Sequence, residues 1–183
     1  VLMDQGRQRI ADLLPVRYAR MQVSPFAFLR GAAAVMAGAL VHTPATGPVV
    51  QSCGDCHLAN FGSYASPEGT PVFDINDFDE TLPAPFEWDI KRLGTSLVLS
   101  GRENGLSDGR ARGLAVSMVR TYVSEMKRLS RLSPLEVWSN PIDLSSAIAG
   151  FSDRHARRQA RLFLVERMER ASRPYGLVAN GAG

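Results

Sequence analysis

Apolar positions recur every three to four residues over most of this chain and alternate in only a few short stretches. That pattern predicts a mostly helical protein with a small β element. Ile10, Leu13 and Leu14 share one face of a predicted helix over 3–14, which Pro15 should stop. Ser24-Pro25 is a strong helix start, a serine cap followed by proline in the first turn, and predicts a helix reaching about Val41 before the turn-rich HTPATGP. Val49-Val50-Gln51 is short and β-prone, and PVFDI at 71–75 alternates in the manner of a strand. Between them CGDCHLANFGSYASPEGT holds turn residues and little periodicity, which predicts loop throughout.

Helical spacing returns from Phe86 to about Asn104. Trp88, Ile90, Leu93, Leu97 and Val98 fall on one side, and Gly105 stands where a C-terminal cap belongs. Ser107 should cap a helix over about 108–130, with Leu114, Met118, Tyr122, Met126 and Leu129 at period 3.6. Shorter helices are predicted from Ser133-Pro134, around 144–149 with Asp143 as cap, and from Ser152 to about Ala171. There are no internal repeats. The whole reads as one unit over 1–171, with 172–183 (SRPYGLVANGAG) a disordered tail.

Composition changes this picture little. Apolar residues make up 45% and charged residues 21%, ordinary for a globular domain. No apolar run reaches the roughly 18 residues a membrane span needs. GAAAVMAGALV at 31–41 is short and rich in small residues, so it reads as a buried helix. Charge is uneven: residues 1–100 hold 7 Lys+Arg and 10 Asp+Glu, whereas 101–183 hold 14 and 8. The basic arginines Arg154, Arg157, Arg158 and Arg161 are interleaved with Leu162, Leu164 and Val165 at helical spacing, the pattern of solvated helix faces rather than a nucleic-acid patch. Neither a nucleic-acid nor a membrane partner is expected, and with no signal peptide visible the expected location is cytoplasmic.

The candidate chemistry is concentrated in 53–80. Cys53-Gly54-Asp55-Cys56-His57 spells C-x-x-C-H, the attachment motif of a c-type haem. Haem leaves Asp55, Asn60 and the acidic run after them unexplained, and Met36, Met118 and Met126 fall on apolar stripes rather than in an axial-ligand setting; the reading is disfavoured. A dithiol redox pair or half a zinc site lacks a second cysteine pair.

Phosphoryl transfer accounts for more of the residues. It needs an oriented nucleophile and cations against the phosphate oxygens. Asp55, five positions before Asn60, could accept the nucleophile's proton while the Asn60 amide oxygen meets a metal. FDINDFDE at 73–80 is a strand ending in clustered carboxylates, and Asp77 within it is the natural second metal ligand. His57 is expected to orient the loop by hydrogen bonding. Isolated carboxylates more often cap turns and helices, and Asp74, Asp79 and Glu80 are open to that reading or to a supporting role.

GDCHLANFG followed by VFDINDFDETLPAPFEWDIKRLGTS resembles the bacterial family called domain of unknown function 2252, with SPFAFLRGAAAVMAGAL and SPLEVWSNPIDLS as further blocks, over about 15–143. After about Arg154 the resemblance is expected to stop. That family is similar in turn to the kinase-like superfamily of aminoglycoside phosphotransferases and choline kinases. The resemblance implies an α+β, mostly helical unit like the C-terminal catalytic lobe of a protein-kinase-like fold, with a small β-hairpin carrying the catalytic loop. It implies Asp55 as catalytic base, His57 as the loop histidine, Asn60 and Asp77 as metal ligands, and Asp89 as a brace on the loop from the next helix. It also implies magnesium and ATP as cofactors and an unidentified small-molecule or protein hydroxyl as acceptor.

The chain departs from that pattern. Cys53 stands where phosphotransferases usually have histidine, and Asp79 replaces the glycine of Asp-Phe-Gly. A kinase also needs a Gly-rich loop and a lysine for the phosphates. Residues 1–54 contain neither; the two lysines, Lys91 and Lys127, follow the motif on predicted helices. The expectation is therefore a catalytic lobe without its nucleotide lobe, as in a truncated protein. The alternative is a non-catalytic, kinase-derived module acting by oligomerisation, with a homodimer as its partner state.

Overall fold

A computed structural model of the chain describes residues 1–7, 9–66, 71–139, 142, 144–150 and 153–171. The architecture is α+β and mostly helical, with two small two-stranded sheets. Two compact units emerge. One comprises Val1–Phe61 with Ile75–Ser133; the other holds the described residues of Gly62–Asp74 and Pro134–Gly183.

The first unit opens with α1 (Leu2–Gly6) and α2 (Leu14–Met21). The single helix expected over 3–14 is not formed. Pro15 begins α2 instead of ending its predecessor, because its missing N–H and preset φ suit a first turn. Ser24 then caps α3 (Pro25–Gly31), its hydroxyl accepting the Ala27 N–H at 3.1 Å.

The helix expected to continue to Val41 breaks at Ala32 (φ −127°, ψ 41°) and resumes as α4 (Ala33–Leu40). Two contacts explain the break. Arg92 Nη2 donates to the Leu29 carbonyl at 2.6 Å, beside the Ala32 N–H that reaches the same oxygen at 3.2 Å. Gly31 lies so close to α2 that a Cβ there would approach Met21 Sδ to 2.8 Å.

β1 (Val49–Ser52) pairs antiparallel with β4 (Leu82–Pro85), Val50 opposite Ala84 and Ser52 opposite Leu82. β4 escapes a pattern reading because Pro83 and Pro85 interrupt it. In a two-stranded ribbon every strand is an edge, where proline is tolerated.

α5 (Glu87–Glu103) and α6 (Asp108–Leu129) form an extensive helix pair, within a residue of their expected bounds. Small residues allow the approach: Gly94 faces Ala115 and Met118, and Gly101 faces Ala111 and Leu114. The turn between them is a Schellman motif. Gly105 takes φ +78°, its N–H reaches Arg102 O, and the Leu106 N–H reaches Gly101 O. The deepest positions of α5 are Arg92, Gly94, Ser96 and Gly101, rather than the apolar residues whose spacing predicted the helix.

β2 (Phe61–Ala65) pairs with β3 (Pro71–Ile75), all but Phe61 and Ile75 belonging to the second unit, so part of the stretch expected to be loop is strand. A further turn of 3-10 helix, Leu58–Asn60, lies within that stretch. The Phe73 N–H donates to Ile142 O at 3.2 Å. Helices α7 (Pro134–Trp138), α8 (Leu144–Ala149) and α9 (Arg154–Ala171) follow, and α8 meets α9 with Ile148 and Leu164 buried. The expected caps Asp143 and Ser152, and the tail 172–183, lie outside the described residues. Among the described residues no helix is long and apolar enough to cross a membrane.

Candidate active site

β1 delivers the chain into Cys53–His57, and the turn there requires glycine. Gly54 sits at φ +75°, and a Cβ on it would overlap the Glu80 carbonyl. The loop is then held from below by one polar seam of α5. Asp89 accepts the Cys53 N–H at 2.8 Å on Oδ2 and the Gly54 N–H at 3.1 Å on Oδ1. One turn on, Arg92 Nε donates to Asp55 Oδ1 at 2.8 Å and its Nη2 joins the same oxygen. Another turn on, Ser96 Oγ accepts the Leu58 N–H at 2.9 Å. Residues 89, 92 and 96 share a helical face, so one helix reads the loop residue by residue.

Arg92 is 2% exposed. A guanidinium so buried requires a carboxylate partner and acceptors for its remaining N–H groups. Asp55 supplies the first; Leu29 O and, at 3.6 Å, Met36 Sδ supply the second. The other oxygen of Asp55, Oδ2, lies 3.3 Å from His57 Nε2. His57 is itself buried against the edge of Phe26, and its Nδ1 is a buried atom without a hydrogen-bond partner.

Asn60 joins the loop to the segment after β3. Its Nδ2 donates to Asp55 O at 3.2 Å and to Asp77 O at 3.0 Å, while the Asn76 N–H returns to Asn60 O at 2.9 Å. Asp77 Oδ1 accepts the Asp79 N–H at 3.0 Å, an Asx turn that orients the Asp77 carboxylate.

Asp55, His57, Asn60 and Asp77 thus line one cleft of about 960 Å³. Asp89 does not line it and lies behind the loop. Nor do Asp74, Asp79 and Glu80 line it; Glu80 faces Arg9 at 3.9 Å instead. The same cleft is also lined by Arg17 and Arg20 of α2, Arg30 of α3, and Arg9 from the segment before α2. Lys91 is turned away to Thr43 Oγ1 (2.7 Å) and Pro44 O (3.0 Å).

Cys53 and Cys56 are both free and buried. Burial pushes the Cys53 thiol above its ordinary 9.0 and the Cys56 thiol up to about 12, with the Asp89 carboxylate adding to the rise at Cys56. At neutral pH both are thiols, and thiolate chemistry is suppressed.

Sequence reasoning overlooked Arg92 and Ser96. The signal was present in EWDIKRLGTS: Arg92 and Ser96 follow Asp89 at three and seven residues, one polar stripe on a helix otherwise read from its apolar face. The arginines of the cleft were overlooked because they are scattered over 9–30 and come to line one cleft only when α2 and α3 pack.

Over residues 9–175 the chain matches domain of unknown function 2252, the family described as an uncharacterized protein conserved in bacteria, and it belongs to that family. The match continues past Arg154, beyond where the sequence resemblance was expected to end. No curated protein and no solved structure matches the chain.

Proposed function

We propose that this chain carries the catalytic apparatus of a kinase-like phosphotransferase, moving a phosphoryl group from magnesium-bound ATP to a hydroxyl acceptor. The observation that carries the reading is the Asn60 bridge, which holds the Asp55 loop and the Asp77 segment at one cleft through the carbonyls of both. Among the described residues no three His, Cys, Asp or Glu side chains gather into a ready-made metal cage. Magnesium does not need one. It is commonly held by one or two carboxylates, with water and phosphate oxygens completing the octahedron. The donors at hand are hard oxygens, so they fit: Asp77 Oδ2, whose twin is engaged by the Asp79 N–H, and the amide oxygen of Asn60.

Bound magnesium-ATP would supply the phosphoryl group and shield its charge. Asp55 would accept the proton of the attacking hydroxyl at Oδ2, since Oδ1 is committed to Arg92. His57 would steady that oxygen, and Asp89 would keep the loop backbone in register. A reaction drawing on ATP belongs in the cytoplasm. The test is a calorimetric titration of magnesium-ATP into the wild type and Asp77→Ala. Saturable binding that the substitution removes supports the reading; two identical, non-saturating traces overturn it.

A second reading has its own support. Val116, Val119, Val123 and Met126 are 41–49% exposed at three- and four-residue spacing along α6. Such a stripe suits helix-to-helix pairing between two copies of a non-catalytic module. Sedimentation separates the readings: a stable dimer that takes up no nucleotide favours the module.

A further inference from the structure

We infer that the arginines lining the same cleft as Asp55 and Asp77 form a metal-independent binding site for a phosphate group. Residues 1–54 contain five arginines, no lysine and two aspartates. Four of the five arginines line this one cleft. Arg17 and Arg20 are one turn apart on α2, and Arg30 lies in the last turn of α3; the close packing of Met21 on Gly31 brings the two helices together. Arg17 is pinned by donating through Nη2 to Gly31 O, which leaves the rest of its fork for a ligand.

Counter-charge is scarce. Among the described residues no carboxylate lies within ion-pairing distance of Arg17, Arg20 or Arg30, and Arg9 meets Glu80 only at 3.9 Å. In the same cleft Asp55 is already paired with Arg92. The cleft therefore holds an excess of like charges whose repulsion a bound anion would relieve. Guanidinium groups are suited to phosphate because their planar forks give paired N–H donors.

The inference deepens the phosphotransferase reading and rests on it only for the direction in which the ligand presents its reacting end. The phosphate group has two candidate sources: the nucleotide's own phosphates, or an acceptor that is already phosphorylated. Either would meet, in arginines, the kind of cationic contact that a lysine gives the phosphates in kinases.

The experiment is calorimetry at low salt in the presence of a chelator, using pyrophosphate and glycerol 3-phosphate as probes. Proteins are the wild type, Arg20→Ala/Arg30→Ala and Asp77→Ala. Arg20 and Arg30 are exposed and form no ion pair among the described residues, so folding should survive; circular dichroism checks it. The expected result is saturable binding to the wild type, at least tenfold weaker in the arginine variant. In Asp77→Ala binding should be retained or tightened, because a repelling carboxylate is gone. Pyrophosphate binding competed by ATP assigns the nucleotide; glycerol 3-phosphate binding that ATP leaves intact assigns a phosphorylated acceptor. No saturable binding of either probe, or equal binding by the arginine variant, overturns the inference. Metal-free phosphate binding without any magnesium-ATP binding would sustain it while removing the phosphotransferase reading.

Discussion

Arg92 and Asp55, 37 residues apart, form an ion pair, buried at the arginine and partly buried at the aspartate, in which Nε lies 2.8 Å from Oδ1. The same guanidinium reaches Leu29 O, so it links the candidate catalytic loop to the break between α3 and α4. Removing one partner of a buried pair strands the other charge, typically at about 3–5 kcal/mol. Arg92→Met should lower stability by an amount in that range. Asp55→Asn combined with Arg92→Met should lose clearly less than the sum of the two single changes. Urea denaturation of the four proteins measures the cycle; strict additivity would show that the pair is not coupled.

Gly54 and Gly105 both need positive φ, at +75° and +78°, but differ in surroundings. Alanine at Gly105 meets open space, so it should cost only the left-handed penalty of roughly 1–2 kcal/mol. Alanine at Gly54 meets the Glu80 carbonyl as well and should destabilise distinctly more. Thermal melts of the two variants decide. Equal losses would mean the segment bearing Glu80 yields freely.

Asp89 accepts two loop N–H groups. Asp89→Ala leaves both without acceptors, at about 1–3 kcal/mol for each that stays buried. Asp89→Asn keeps one acceptor oxygen and should recover part of the loss. Amide hydrogen exchange at Cys53 and Gly54 reports it directly: faster exchange in the alanine variant, intermediate in the asparagine variant. Unchanged protection in Asp89→Ala would remove Asp89 from this bracing role.

Cys56 gives a pH dependence whose sign follows from burial. Its thiol is pushed from 9.0 up to about 12, chiefly by desolvation and then by the Asp89 carboxylate. The folded protein therefore keeps a proton that the unfolded chain releases above its ordinary pKa. The stabilisation is complete below pH 9 and is lost progressively between about pH 9 and 12. Cys56→Ala should show a shallower alkaline decline in melting temperature. In the native protein the thiol should react with a disulfide reagent at pH 8 far more slowly than in urea; equal rates would show that it is not buried as described.

Local chemistry explains why some of this could be read directly. Ser24 and Pro25 start α3 wherever the chain goes next, since cap and first-turn proline act within a few residues. Gly105 ends α5 for the same reason. α5 and α6 are long enough for their apolar period to outweigh any single misfit position. Of the candidate site, Asp55, His57, Asn60 and Asp77 could be singled out because four chemically unusual residues crowd into 23 positions of chain.

The rest depended on partners distant in sequence. Arg92 reads as one more charged residue on an amphipathic helix until Leu29, 63 residues away, and Asp55 surround it. Pro15 reads as a helix stop until α2 is seen to begin with it. β4 has no strand signal of its own and exists through its register with β1. The arginines at 17, 20 and 30 come to line one cleft only after Gly31 lets α2 and α3 close.

By itself the sequence determined the helical class, the family, the major helices and the loop acid with its asparagine, because periodicity, caps and short spacings are local physics. Tertiary structure alone decided that a buried arginine anchors that acid, where the early helix breaks, and that four arginines line one cleft with the carboxylates. Those outcomes depend on desolvation and close packing between segments, and neither is defined until the segments meet.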